Sequence, residues 1–151
     1  MIDIEDFKKS IGKKSRLLGI DPGKKRIGLA ISDEDKLVST PLKTIVKKNN
    51  SNFIKEIRQI IVENNIKGII VGNPINMDGS KGPSAQSAND FAQYLSNNVS
   101  IPVSMWDERL SSEGAFNLSS NLDINVSKKV DKLDRNAASF ILQGAIDYIR
   151  R

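Results

Sequence analysis

Apolar positions in this chain follow two rhythms, and the change between them organises the sequence. Residues 17–20, LLGI, are apolar throughout, which predicts a strand with both faces buried. Ile27, Leu29 and Ile31 then alternate with Gly28, Ala30 and Ser32, a period of two with one bulky and one small face. Residues 38–46 continue as a third strand, placed at an edge because Pro41 cannot donate to a central ladder. Beyond residue 50 the period lengthens. Ile54, Ile57, Ile60 and Ile61 mark a helix over residues 51–64, closed by Asn64-Asn65 before a short buried strand at residues 68–71. A loop, GNPINMDGSKG, leads to a helix opening near Pro83, with Ala85, Ala88, Ala92 and Leu95 on one face. Residues 102–106 form a fifth strand that ends in Asp107-Glu108-Arg109. A helix is expected from Ser111 towards Ser120, then a polar linker over residues 121–129, then a last helix from about Asp131. Ahead of all this, Ile4, Phe7 and Ile11 are spaced for a short helix in an N-terminal extension, residues 1–15, before a single domain over residues 16–151.

This order, βββαβαβαα, predicts an α/β fold: a three-strand antiparallel meander leading into βαβαβ, hence a mixed five-stranded sheet with helices on both faces. In such sheets functional sites collect at the carboxyl ends of the parallel strands, and Asp21 and Glu108 both fall at predicted strand ends. The last helix adds a third carboxylate. Asp134, Ala138, Ile141 and Ala145 make one stripe, while Lys132, Arg135, Asn136, Ser139, Gln143, Asp147 and Arg150 fall on the other side. Asp134 sits in the first helical turn, where the macrodipole favours an anion. On the helix alone it needs no other explanation.

Composition narrows the chemistry. The 151-residue chain contains no cysteine and no histidine, which removes disulfides, thiolate nucleophiles, structural zinc and imidazole bases. Catalysis must run on carboxylates, lysines, hydroxyls and hard cations. If the final helix crosses the sheet, Asp21, Glu108 and Asp134 converge. Three bare carboxylates would raise one another's pKa, so a shared site requires cations. Oxygen ligands suit Mg²⁺ or Mn²⁺, and paired ions about 4 Å apart promote phosphodiester cleavage. The net charge of +5, with basic residues dense in the first third, is compatible with a polyanionic partner. No stretch approaches the roughly 20 apolar residues of a membrane span, and MIDIEDFKKSIGKK lacks a secretion h-region, so a cytoplasmic protein is expected.

Four motifs, GIDPGKKRIGLAISD, VGNPINMDGSKG, DERLSS and DRNAASFILQ, together resemble the RuvX/YqgF family of small bacterial RNase H-like proteins, known as pre-16S rRNA nucleases and earlier as Holliday junction resolvases. The resemblance runs from about Arg16 to Tyr148. It implies an RNase H-like fold, a metal-binding acidic triad at Asp21, Glu108 and Asp134, and a role in pre-16S rRNA processing on ribosomal precursor particles, with four-way DNA as the alternative substrate. Two positions depart from the family: Pro22 gives GIDPG, closer to the RuvC resolvases, and Asn73 replaces an apolar residue. Neither touches a carboxylate.

Around such a site, Arg26 and Arg109 are candidates to grip phosphate bidentately. Lys24, Lys25, Lys128, Lys129, Lys132 and Arg135 would rim it as positioning contacts without base specificity. The loop Asn76, Asp78, Gly79 and Ser80 is either a substrate guide or an ordinary turn. Asp107 alternates away from its neighbour, and Trp106 reads as core. An actin-like ATPase needs two such domains, and a Walker loop is excluded by spacing and by Lys25 where Ser or Thr belongs. A non-catalytic RNA-binding assembly factor remains the rival from another class. A monomer and a homodimer both stay open.

Overall fold

Both faces of a single sheet carry apolar side chains, and each face is covered by its own helices. The structure is a computed structural model that describes residues 1–74, 78–110 and 137–151 in full and residues 126–136 as helix. The strands are β1 (Arg16–Asp21), β2 (Arg26–Ser32), β3 (Ser39–Val46), β4 (Ile66–Asn73) and β5 (Val103–Asp107). The helices are α1 (Ile4–Ser10), α2 (Asn50–Glu63), α3 (Pro83–Asn98) and α4 (Val126–Ile149), with a 3₁₀ turn at Glu108–Leu110. Strand order is β3-β2-β1-β4-β5. The meander pairs are antiparallel, and β4 joins β1 and β5 in parallel. This is the mixed α/β sheet expected from the order of elements. Pro41 lies on the edge strand, opposite Ala30 where the β2–β3 register shifts.

Pleating divides the core in two. Leu18, Ile20, Ile69 and Val71 pack under α2 and α3 with Ile57 and Leu95. Leu17, Ala30, Ile70 and Trp106 pack on the other face with Ala138, Ile141, Leu142 and Ala145 of α4 and with Phe7 of α1. Each helix has a local cause. The Asn49 side chain accepts the Asn52 N–H and caps α2. Asn64 closes that helix and Asn65 turns with φ 52°. α3 starts at Pro83, whose missing N–H is no loss there. The polar side of α4 is also used: Gln143 accepts the Ser39 N–H and donates to Leu37 O, while Ser139 meets Ser39.

Residues 126–129, expected in a linker, belong to α4. Val126 and Val130 extend the apolar spacing of that helix backwards, a signal outweighed in the sequence by the polar run around them. The expected helix over residues 111–120 and linker residues 121–125 lie outside the described residues.

The small face of the sheet sets the approach of α4. A Cβ on Gly19 would lie 2.6 Å from Leu142 Cβ and 3.2 Å from Ala138 O. Both atoms are fixed by helix backbone, so no rotamer change makes room. Gly19→Ala should therefore lower stability by about 1–3 kcal/mol, the range for overpacking a filled core. A guanidinium unfolding curve checks this; an unchanged midpoint would mean that α4 yields more easily than its packing implies.

Candidate active site

Asp21 ends β1 and Glu108 follows β5, with β4 between them. Neighbouring strands stand about 4.8 Å apart, so the two backbones are separated by roughly 10 Å. Ile20 pairs with Val71, one step before Asp21 and Gly72, and Gly72 pairs with Trp106. Alternation places Asp21 on the face of Leu17 and Gly19, and Glu108 on the face of Trp106. Both carboxylates thus belong to the face that α4 covers.

Gly72 is the floor between them. A Cβ at Gly72 would lie 2.5 Å from Ile141 Cδ1 and 3.5 Å from the Glu108 carboxyl carbon. The Glu108 carboxyl thus rests above the strand beside Gly72, and the close approach there is that of the Ile141 side chain. Glu108 is half-buried. Burial pushes its pKa above the ordinary glutamate value, and the neighbouring Asp107 charge pushes it further the same way. The strand-end glycine in VGNP was the sequence signal for this floor, and it is visible only once β4 is known to lie between the two acids.

Asp107 points to the opposite face and has the opposite environment. Arg109 Nε donates to Asp107 Oδ1 and Oδ2, both at 3.1 Å, and its terminal nitrogen donates to Oδ2 at 2.7 Å. The Arg109 N–H adds a bond to Oδ1 at 3.0 Å. These bonds, the Arg109 side chain foremost, hold the Asp107 carboxyl below the usual range. Arg109, expected to grip phosphate, is committed to Asp107. It also reaches the β4–α3 loop, where its guanidinium lies 3.5 Å from a Cβ placed on Gly79. Asp78 stabilises that loop by accepting the Ser80 N–H at 2.9 Å and its hydroxyl at 2.6 Å, which lowers the Asp78 pKa. Asn73 pairs in register with Asp107, and its buried Oδ1 meets no hydrogen-bond donor among the described residues.

Lys24, Lys25 and Arg26 are exposed on and beside the β1–β2 turn, at the carboxyl end of β1. Because α4 begins at Val126, Asp134 lies in its third turn and not in the first turn expected for it, with Lys128 and Lys129 in the first turn, Lys132 in the second and Arg135 in the third; their side chains fall outside the described residues, as does Asn76. Asp134 is one turn before Ala138, the residue packed at Gly19. Among the described residues no three acids gather in one cluster; the described pair is Asp21 and Glu108.

The Glu108 shift fixes a sign. A carboxyl whose folded pKa is raised favours folding when protonated, and that contribution is lost as pH rises through the folded pKa. With cations chelated, Glu108→Gln should raise the thermal midpoint at pH 7, and the difference should vanish below the ordinary glutamate pKa. A variant less stable than the parent at pH 7 would contradict a desolvated carboxylate at this position.

Residues 15–148 match the RuvX family, described as a Holliday junction resolvase. The chain is 59% identical over 149 residues to a protein of Pelagibacter ubique (strain HTCC1062) named "Putative pre-16S rRNA nuclease", covering 99% of each. A protein of the same name from Ruegeria sp. (strain TM1040) is 41% identical over 146 residues, 97% of this chain and 93% of its own. Among solved structures, T. thermophilus RuvC in complex with Holliday junction substrate matches with a TM-score of 0.50 at 16% identity, covering 90% of this chain and 95% of that one. That likeness is one of fold.

Proposed function

Because the chain belongs to the RuvX family, we propose that it is a nuclease hydrolysing phosphodiester bonds of pre-16S rRNA, with Asp21, Glu108 and Asp134 as its acidic centre. The observation that carries this reading is the pair of carboxylates at the ends of β1 and β5, on one face, across a glycine. Such an arrangement suits a hard cation. Glu108 is a desolvated carboxyl, and among the described residues the charge acting on it is that of another acid, Asp107, so ionisation there calls for positive charge. Oxygen donors without nitrogen or sulfur favour Mg²⁺ or Mn²⁺ over zinc.

Asp21 and Glu108 would hold the ion from the sheet, and Asp134 from the helix above. The ion, when bound, supplies positive charge to the attacking and leaving oxygens of the displacement. The protein does the rest by position. Gly72 keeps the floor clear, Ile141 and Trp106 exclude water from one side, and Arg109 fixes Asp107 so that it does not swing towards the ion. Because burial raises the proton affinity of Glu108, proton and cation compete for this carboxyl, and cation affinity should fall at acid pH. Lys24, Lys25 and Arg26 stand at the β1 end to take backbone phosphates. Lys128, Lys129, Lys132 and Arg135 complete the rim from α4.

Sequence identity to the pre-16S rRNA nucleases favours RNA as the substrate, while the family's description as a Holliday junction resolvase supports four-way DNA as the second reading. Precursor ribosomal particles are the natural context of the first. Among the described residues no helix is long and apolar enough to cross a membrane.

The test is Mg²⁺- or Mn²⁺-dependent cleavage of an end-labelled RNA carrying a pre-16S leader, beside a four-way DNA junction. Wild type should cut the RNA. Asp21→Asn should bind it undiminished and lose more than about 100-fold in rate, the upper end seen when merely a group behind a metal ligand is removed. Junction cutting alone would assign the resolvase role; no cutting of either would favour the assembly factor.

A further inference from the structure

The sheet has a second concavity, on the face away from the acidic centre. A cavity of about 530 Å³ opens between the β1–β2 turn and the first half of α3, lined among others by Pro22, Lys24, Lys47, Ser84, Ser87 and Phe91. It combines two chemistries. Phe91 is a held ring, packed 5.4 Å from Phe53, with Lys47 Nζ 5.9 Å from its centroid. Together with the half-buried prolines 22 and 74 it gives the cavity an apolar wall, and Pro83 lines it as well. Two lysines and two serines also line it, and among the described residues no carboxylate does. α3 also begins here with Gly82 as its cap, so no side chain accepts its first amides, and its first turn has no acidic residue. An apolar wall beside lysines and serine hydroxyls fits one base with its phosphate.

Position ties the cavity to the chemistry. Pro22, in its wall, directly follows Asp21, so their Cα atoms are about 3.8 Å apart. The cavity and the acidic centre therefore lie back to back across the carboxyl end of β1. We propose that this cavity is a nucleotide subsite, holding one unpaired base and its phosphate from the single-stranded segment that flanks the scissile bond. The inference rests on the nuclease reading and deepens it. A base seated in a walled cavity cannot remain paired, so the enzyme selects substrates with an unpaired nucleotide beside the cut.

Binding without cleavage separates the two claims. Fluorescence anisotropy of labelled hexauridylate in EDTA, with its duplex, UMP and inorganic phosphate as competitors, measures the subsite alone. Lys47→Gln should reduce the salt dependence of binding by about 0.7 in slope, the loss of one phosphate contact on a single strand. Ser84→Glu, which suits a helix start, should keep or raise the melting temperature and weaken hexauridylate about tenfold through a lost phosphate contact. Duplex should compete poorly. The proposal is overturned if both variants bind as wild type, if duplex competes as well as single strand, or if UMP alone competes as tightly as the hexamer, which would make free nucleotide the ligand. Variant-sensitive binding in a wild type that cuts nothing would refute the nuclease reading and leave the subsite standing. Full cleavage by both variants would refute the subsite only.

Discussion

Leu142 and Ala138 stand where a side chain on Gly19 would have to go, and Ile141 does the same at Gly72. At Gly19 the obstructing atoms are fixed by the helix backbone, so the sheet accepts α4 at this distance because that position lacks a Cβ, whereas at Gly72 it is the end of the Ile141 side chain that fills the space. That approach buries Ala138, Ile141, Leu142, Ala145 and Ile146 against β1, β2 and β4, which supplies one of the molecule's two cores. It also decides how closely the Asp134 turn of α4 passes the sheet, since Asp134 is one turn upstream of Ala138. The glycine that lets this core close, Gly19, is therefore also the one that brings α4 close to the carboxyl end of β1. A fold stabilised differently, with bulky residues on this face, would hold its last helix further out and its carboxylates further apart.

At the carboxyl edge, two adjacent acids are sent in opposite directions. Asp107 and Glu108 are consecutive, yet alternation and the 3₁₀ turn put them on different faces. Arg109 neutralises Asp107 and lowers its pKa, while Glu108 is half-buried and raised. Pairing one acid leaves the other as the group for which a cation is the favourable partner. The Arg109 guanidinium also lies beside Gly79 of the β4–α3 loop, where its charge adds to the lowering of the Asp78 pKa.

The elements were legible because their apolar periods are clean. LLGI reads as a strand buried on both faces, and Pro41 identifies the edge. The placement of Asp21 and Glu108 at strand ends followed from the same periods, and family membership was carried by four motifs in order. What the chain could not declare was anything set by pairing at a distance. Gly72 becomes a floor only when β4 inserts between β1 and β5. Arg109 looked like a phosphate ligand because nothing local shows that Asp107 will take it. Lys47 and Phe91 are 44 residues apart and meet through the packing of α3 beside the strand-end turns, so neither drew notice in the sequence. The start of α4 was misplaced because polar residues around Lys128 and Lys129 hid its apolar spacing.

The proposed acidic centre requires a divalent cation above Gly72, between Asp21 and Glu108. Anomalous diffraction from a crystal of this protein soaked in Mn²⁺, at a concentration that supports cleavage, would locate the ion directly. The account predicts a peak on the α4 face of β4, within bonding distance of both carboxylates. A peak held elsewhere, or none at that position, would contradict it.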